Sequence, residues 1–239
     1  MSTTIDQSTD HLESLRTTPD LAVFAPGDSG YDEARATWNT AFEHRPALVA
    51  MPTTTNAVAA AVVFARETGM SVAIQSTGHG PTRAAEGHTL LLNLARLNSV
   101  EIDLENETAD IGGGAKWQDV LDRAAPLGLA PLLGSTPDVS AVGYTLGGGL
   151  GWLARKYGTS ADSAIEFEIV RATGETITVS ANENPELFWA LRGGGAGNLG
   201  VVTRMRAQLY RIPEVYGGDL FYPSSMAVDV IRRWRDWIE

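Results

Sequence analysis

Cysteine is absent from all 239 residues. That excludes a disulfide framework, a thiolate zinc site, a cysteine nucleophile and any cysteinyl cofactor link. Basic charge is scarce too: 18 Lys and Arg stand against 29 Asp and Glu, giving a formal net charge of −11. A nucleic-acid partner needs clustered cations to meet phosphate. The densest basic run here is Arg232, Arg233 and Arg235, broken by Trp234 and followed by acids, so no nucleic-acid partner is expected. No apolar run reaches the roughly 18 residues that suggest a membrane span. The opening MSTTIDQSTDHLESL has neither the basic start nor the apolar core of a secretory signal. The expectation is a cytoplasmic chain without membrane contact, beginning with a frayed arm over 1–30.

Hydrophobic residues make up 44% and charged residues 20% of the chain, an ordinary globular composition. A chain of this length buries about 70–75% of its unfolded surface, so it needs no staple. The spacing predicts a helix over 31–42 and a buried strand over 47–50, stopped by Pro52. Thr53, Thr54, Thr55 and Asn56 offer N-caps for a second helix, whose Val58, Ala61, Val62 and Ala65 share one face. Gly69 is its natural stop. A strand over 71–75 follows, and this β-α-β order suits a parallel pair with a crossover helix. Further strands are expected over 89–94, 100–104 and 107–111, then a helix over 116–125. A hairpin follows over 166–179, a helix over 184–191 and a strand over 201–210. Beyond Val215 the pattern starts anew, with a strand over 218–222 and a helix over 225–238. That helix aligns Val228, Ile231, Trp234 and Ile238. The expectation is a domain over 31–214, in subdomains of about 31–98 and 99–214, and the start of an incomplete second domain over 215–239.

Twenty-five glycines are present, many of them gathered in the loops 76–88, 134–158 and 193–200. Glycine lets backbone approach a ligand, and successive free N–H groups cradle an anion. Gly195 to Gly200 spells GxGxxG, and Gly149 to Ala154 spells GxGxxA. A dinucleotide fingerprint requires a strand before and a helix after the glycines. The first match has the reverse order and the second follows a loop, so a nicotinamide-dependent Rossmann enzyme is disfavoured. There is no P-loop. Among the four histidines, His79 stands out because Gly78 and Gly80 flank it. Pairing it with His88 gives no metal set at helical spacing, and no metal is expected. Ser135 lies in GSTPD rather than GxSxG, which argues against a serine triad. Asp138 is placed to cap a helix opening near Ser140. Tyr144, Trp152 and Tyr157 are suited to stacking on a flat ligand or to the core.

The segments VAIQSTGHGPT, PLLGSTPDVSAVGYTLGGGLGWLARKYGTSAD and NPELFWALRGGGAGNLGVVTRM, with RPALVAMPTTTNAVAAAVVFA before them, follow one consistent order. Together they resemble the FAD-binding domain of berberine-bridge-enzyme-like oxidoreductases, in the vanillyl-alcohol-oxidase flavoprotein group. The resemblance covers about 42–222. It implies an α+β, two-subdomain, PCMH-type FAD domain with the cofactor between its halves. It implies that Gln75, Ser76, Thr77, Gly78 and Gly80 wrap the FAD pyrophosphate, and that His79 is bonded to the flavin 8α carbon. Gly134, Ser135, Thr136, Gly143, Tyr144, Gly147, Gly148, Gly149 and Gly151 would contact the flavin and ribityl-phosphate part. Val201 would lie near the nucleotide.

This chain departs from the pattern in two places. Gln75 stands where many relatives carry Arg, leaving more of the anion binding to backbone amides. Thr136 stands where some relatives carry a second, cysteinyl attachment. A single histidyl link through His79 is therefore implied. In relatives the catalytic base comes from a later substrate domain, so no residue here is named as catalytic. The expected activity is that of an oxidase removing hydride from a hydroxyl- or amine-bearing carbon of a sugar, alcohol or secondary metabolite, with dioxygen reoxidising the flavin. The alternative is a non-catalytic or partner-completed flavin-binding module.

Overall fold

The computed structural model describes residues 12–195, 197 and 199–238. Residues 1–11 of the expected arm, Ala196 and Asn198 of the GxGxxG string, and Glu239 lie outside them. Among the described residues no helix is long and apolar enough to cross a membrane.

Two main sheets organise the chain. The first holds β1 (Leu21–Phe24), β2 (Arg45–Pro52), β3 (Ser71–Gln75) and β4 (Glu86–Asn93), in the order β1-β2-β4-β3. The expected pair of β2 and β3 is therefore not a direct one. Strand β4 lies between them and runs parallel to both. Its Leu90, Leu91 and Leu92 are fully buried. Such a continuous apolar run suits a central parallel strand covered on both faces, and it displaces the half-exposed β3 to the edge. Strand β1 pairs antiparallel with β2, and Leu15 is buried against the same core. The described part of the span expected to be an arm, residues 12–30, thus packs on the core.

The crossover helix Thr55–Thr68 forms as its sequence dictates. Thr54 is extended, and its side chain accepts from the Ala57 N–H. Gly69 closes the helix in the left-handed region at φ 70°. Val58, Ala61, Val62 and Ala65 are buried against β2 and β4 and also meet Val170 and Val201 of the second sheet. Thr55 donates to Glu168 at 2.7 Å, and Arg66 donates to the Thr173 carbonyl at 2.8 Å. The helix thereby fixes one sheet against the other.

The second sheet is antiparallel and has the order β5-β6-β10-β8-β9. Its strands are β5 (Val100–Asp103), β6 (Thr108–Gly112), β8 (Ala164–Val170), β9 (Thr176–Ser180) and β10 (Val201–Gln208). The short β7 (Leu129–Ala130) and β11 (Tyr210–Arg211) pair separately. On β10 the side chains alternate: Met205 and Ala207 are buried, while Arg204 and Arg206 reach Asp110 on β6. The buried face packs on Trp117 and Val120 of helix Trp117–Ala124 and on Phe188 and Leu191 of helix Pro185–Leu191. The β8–β9 hairpin turns at Gly174, whose φ is +87°.

Two expected elements take another form. The helix over 31–42 stops at Ala34. Beyond it, the backbone of Ala36, Trp38 and Asn39 bonds to the 75–78 segment, and these tertiary bonds replace the i−4 bonds a helix would need. The strand over 218–222 does not form. Its residues lie exposed, Phe221 at 90% and Leu220 at 83%, and no strand among the described residues supplies the ladder. Helix Ala227–Ile238 does form, and Val228, Ile231, Trp234 and Ile238 are all exposed on it.

One ion pair near the glycine loops gives a pH signature. Asp162 accepts from the Thr159 hydroxyl at 2.7 Å and the Thr159 N–H at 2.8 Å, with Arg192 at 3.4 Å. The Thr159 hydroxyl bond, then the backbone bond and the Arg192 charge, hold its carboxyl below the ordinary value of 3.8. A depressed carboxylate stabilises the fold above its unfolded pKa, and the gain disappears as pH falls through the folded value. Asp162→Asn is expected to lower the melting temperature at neutral pH and leave it unchanged in strong acid. A melting series across pH checks this. An equal drop at every pH would assign the effect to something other than the charge.

Candidate functional site

The C-terminal ends of β3 and β4 open into a cavity of about 600 Å³. The residues after β6 form its other wall, so it lies between the two sheets. It is lined by Gln75, Ser76, Thr77 and His79 on one side and by Gly114 and Lys116 on the other. A cavity of this size falls within the roughly 300–1,000 Å³ typical of ligand and cofactor sites.

Local bonds shape the His79 loop. Gly78 has φ +73°, and a side chain there would overlap the Thr37 hydroxyl. Its carbonyl accepts from the Thr37 hydroxyl at 2.7 Å and the Asn39 N–H at 3.1 Å. Trp38 donates its N–H to the Thr77 carbonyl at 3.3 Å. The Ser76 hydroxyl reaches the Gly114 carbonyl at 3.3 Å, which ties the loop to the second sheet. The Thr77 and Gly78 carbonyls are thus spent on the protein. Among the described residues, no backbone N–H from Thr77 to Gly80 meets an acceptor. Free amides on a turn are suited to an anionic ligand.

His79 occupies the centre. Trp38 stacks on its ring at 4.3 Å and 13°. Its Nδ1 lies 2.9 Å from the Thr77 hydroxyl, and its Nε2 lies 3.5 Å from Asp138. Gln75 is buried and donates to the Ala36 carbonyl at 2.7 Å. Buried polar atoms without a partner among the described residues include Gln75 Oε1, His79 Nε2 and Asp138 Oδ1. Such orphans carry a desolvation cost that a bound polar group relieves. The free amides suit the anionic part of a large cofactor, the orphaned oxygens its hydrogen-bond donors, and the cavity has the volume of a cofactor site.

The structure brings together only part of the expected residue set. Gln75, Ser76, Thr77 and His79 line this cavity, with Gly78 shaping their loop. Gly134, Ser135, Thr136, Gly143, Tyr144, Gly147, Gly148, Gly149 and Gly151 lie outside its lining, as does Gly80. Tyr144 sits on helix Ala141–Leu146 and meets the Trp117 ring edge-on at 6.0 Å. Burial pushes its hydroxyl above the ordinary 10.0. Val201 lines a second cleft of about 340 Å³, beside Arg66 and Arg171. Trp152 is exposed, and Tyr157 packs on Tyr210 at 4.5 Å. His88 contacts the Thr68 carbonyl at 3.1 Å.

Asp138 does not cap the following helix. Ser140 does so, accepting from the Gly143 N–H at 3.1 Å. Asp138 turns to His79 instead. Trp38 and Asn93 are further cavity residues that sequence reasoning missed. A polar residue closing the apolar run Leu90-Leu91-Leu92 was the available signal for Asn93. Asn93 is buried, donates to the Ala34 carbonyl at 2.8 Å and accepts from the Ala95 N–H at 3.0 Å.

Two sheets clasping a histidine-bearing loop, with a polar cavity between them, define a cofactor-binding α+β domain. The chain belongs to the FAD binding domain family, whose model matches residues 46–180. Over 192 residues it is 40% identical to (R)-6-hydroxynicotine oxidase of Paenarthrobacter nicotinovorans, covering 80% of this chain and 42% of that protein. The crystal structure of 6-hydroxy-D-nicotine oxidase from Arthrobacter nicotinovorans superposes with a TM-score of 0.76 at 39% identity, over 80% of this chain and 42% of that one. Glucooligosaccharide oxidase from Acremonium strictum, described with a 6-S-cysteinyl, 8α-N1-histidyl FAD, gives 0.75 at 28% identity, over 84% and 43%. The chain thus spans less than half the length of these relatives.

Proposed function

We propose that this chain holds FAD for an oxidoreductase that removes hydride from a hydroxyl- or amine-bearing carbon of a small molecule. The observation that carries this reading is the His79 loop: an imidazole at the cavity wall, flanked by backbone amides with no acceptor among the described residues. Thr77, Gly78 and Gly80 are proposed to bind the FAD diphosphate through those amides, with Ser76 and the uncharged Gln75 beside them. His79 is proposed as the single covalent attachment, because Thr136 and the absence of cysteine leave no second one. Gly134, Ser135, Thr136, Gly143, Tyr144, Gly147, Gly148, Gly149 and Gly151 are proposed to flank the flavin and ribityl part, and Val201 the nucleotide part.

When bound, FAD supplies a two-electron acceptor, and the protein orients and tunes it. Dioxygen is proposed as the final acceptor. The domain is proposed to run over 31–214, in halves of about 31–98 and 99–214. Residues 215–239 would belong to a separate substrate-facing unit.

The test is anaerobic mixing of the FAD-loaded protein with a panel of oligosaccharides and hydroxylated nitrogen heterocycles. Loss of the visible flavin absorbance with one class, and peroxide on readmitting air, is the expected result. Full retention of FAD with no bleaching across the panel would favour the non-catalytic module.

A further inference from the structure

His79 is constrained from several sides, and the groups involved determine which nitrogen carries the proton. Trp38 covers one ring face and so fixes the ring plane. Thr77 Oγ1 lies 2.9 Å from Nδ1. Asp138 Oδ2 lies 3.5 Å from Nε2, and both Nε2 and Asp138 Oδ1 are buried without a hydrogen-bond partner among the described residues. A neutral imidazole offers one N–H donor and one acceptor nitrogen, whereas a carboxylate only accepts. A proton on Nε2 is attracted to Asp138, while a lone pair there would face negative charge. The Thr77 hydroxyl both donates and accepts, so it satisfies whichever state Asp138 selects.

The placement of Asp138 does not depend on the His79 loop. Its neighbours are tied to the start of helix Trp117–Ala124. Gln118 donates to the Pro137 carbonyl at 2.8 Å, and Trp117 donates to the Val139 carbonyl at 3.0 Å. Two separate segments are therefore needed to bring the carboxylate to the imidazole.

We propose that Asp138 is a positioning residue that holds His79 in its Nε2–H tautomer, so that the Nδ1 lone pair bonds the FAD 8α carbon once the Thr77 hydroxyl turns away from it. This rests on the His79 attachment proposed above. The bond replaces one imidazole N–H and one 8α C–H with a single N–C bond. Two protons and two electrons leave, and dioxygen takes them up to become hydrogen peroxide. Alkylation at Nδ1 puts positive charge on the ring, and Asp138 stands where the Nε2 proton departs.

The test has two readouts. In the apoprotein with isotope-labelled histidine, long-range proton–nitrogen NMR should show His79 protonated at Nε2 and bare at Nδ1. Asp138→Asn and Asp138→Ala should lose that preference, and Asp138→Glu should retain it. On mixing with saturating FAD, acid-stable flavin should accumulate about 10- to 100-fold more slowly in the Asn and Ala variants, with partial rescue by Glu. A wild-type Nδ1–H tautomer would overturn the proposal. So would an unchanged tautomer in Asp138→Ala, or attachment at the wild-type rate in both variants. If the wild type binds FAD reversibly but never retains it through acid, the attachment reading fails. The tautomer of wild type and Asp138→Asn then decides the role of Asp138. The same NMR comparison decides it if the Ala variant does not fold.

Discussion

Gly114→Ala is expected to lower the unfolding free energy by about 3 kcal/mol, the upper range for forcing a group into a filled site. A Cβ at this position would overlap the Leu94 carbonyl oxygen and lie 2.6 Å from the Leu94 carbonyl carbon. Neither atom belongs to a flexible side chain. The backbone cannot easily retreat, because the Gly114 N–H donates to the Leu97 carbonyl at 2.9 Å and its own carbonyl accepts from Ser76. Those bonds join the exit of β4, the His79 loop and the second sheet. Gly80→Ala is the control. No atom lies within 4 Å of a Cβ there, so its stability should change by less than about 0.5 kcal/mol. Urea unfolding with an unchanged slope reads both. Equal, small losses would show that the Leu94–Leu97 turn yields.

Trp117→Ala is expected to cost about 3–5 kcal/mol, the range for deleting a buried aromatic. Trp117 is 1% exposed at the first turn of its helix and is packed among Val120, Phe188 and Met205 in the core of the second sheet. Its ring meets Tyr144 edge-on. The indole N–H is buried and has no acceptor among the described residues. Keeping an unmet donor costs about 1–3 kcal/mol. Trp117→Phe removes that penalty together with some volume, and it should lose less than about 1.5 kcal/mol. A Phe variant as damaged as the Ala variant would mean that the indole N–H has an acceptor after all.

The residues explain which features could be read from sequence. Helix Thr55–Thr68 was legible because one stretch carries its cap, its apolar face and its glycine stop. The β8–β9 hairpin was legible because Thr173-Gly174 marks the turn. Strand order in the first sheet was not legible. β2, β3 and β4 are all short and apolar, and only packing on both faces selects β4 as the centre. The peeling of residues 35–42 away from helix was hidden for a similar reason. Trp38 and Asn39 donate their backbone N–H groups, and Thr37 its hydroxyl, to a loop some 40 residues later.

The site was half legible. Glycines on either side of His79 marked the histidine, and the family resemblance gave its neighbours. Asp138 and Trp38 are far from His79 in sequence, and Asp138 had a plausible local role as a helix cap. Only the tertiary fold turns both toward the imidazole. Gly134 to Gly151 illustrate the converse. Their clustering pointed to a ligand, yet that loop also builds the short helix Ala141–Leu146, where Thr145 bonds Ser160 at 2.7 Å.

Acid precipitation of the FAD-loaded chain, beside His79→Ala, tests the proposed flavin attachment most directly. The wild-type pellet should keep its yellow flavin while the variant releases all of it into the supernatant. Flavin released from the wild type as well would remove the covalent link and leave a reversible FAD site. Failure of the wild-type chain to take up FAD at all would contradict the reading of the His79 cavity as the cofactor site.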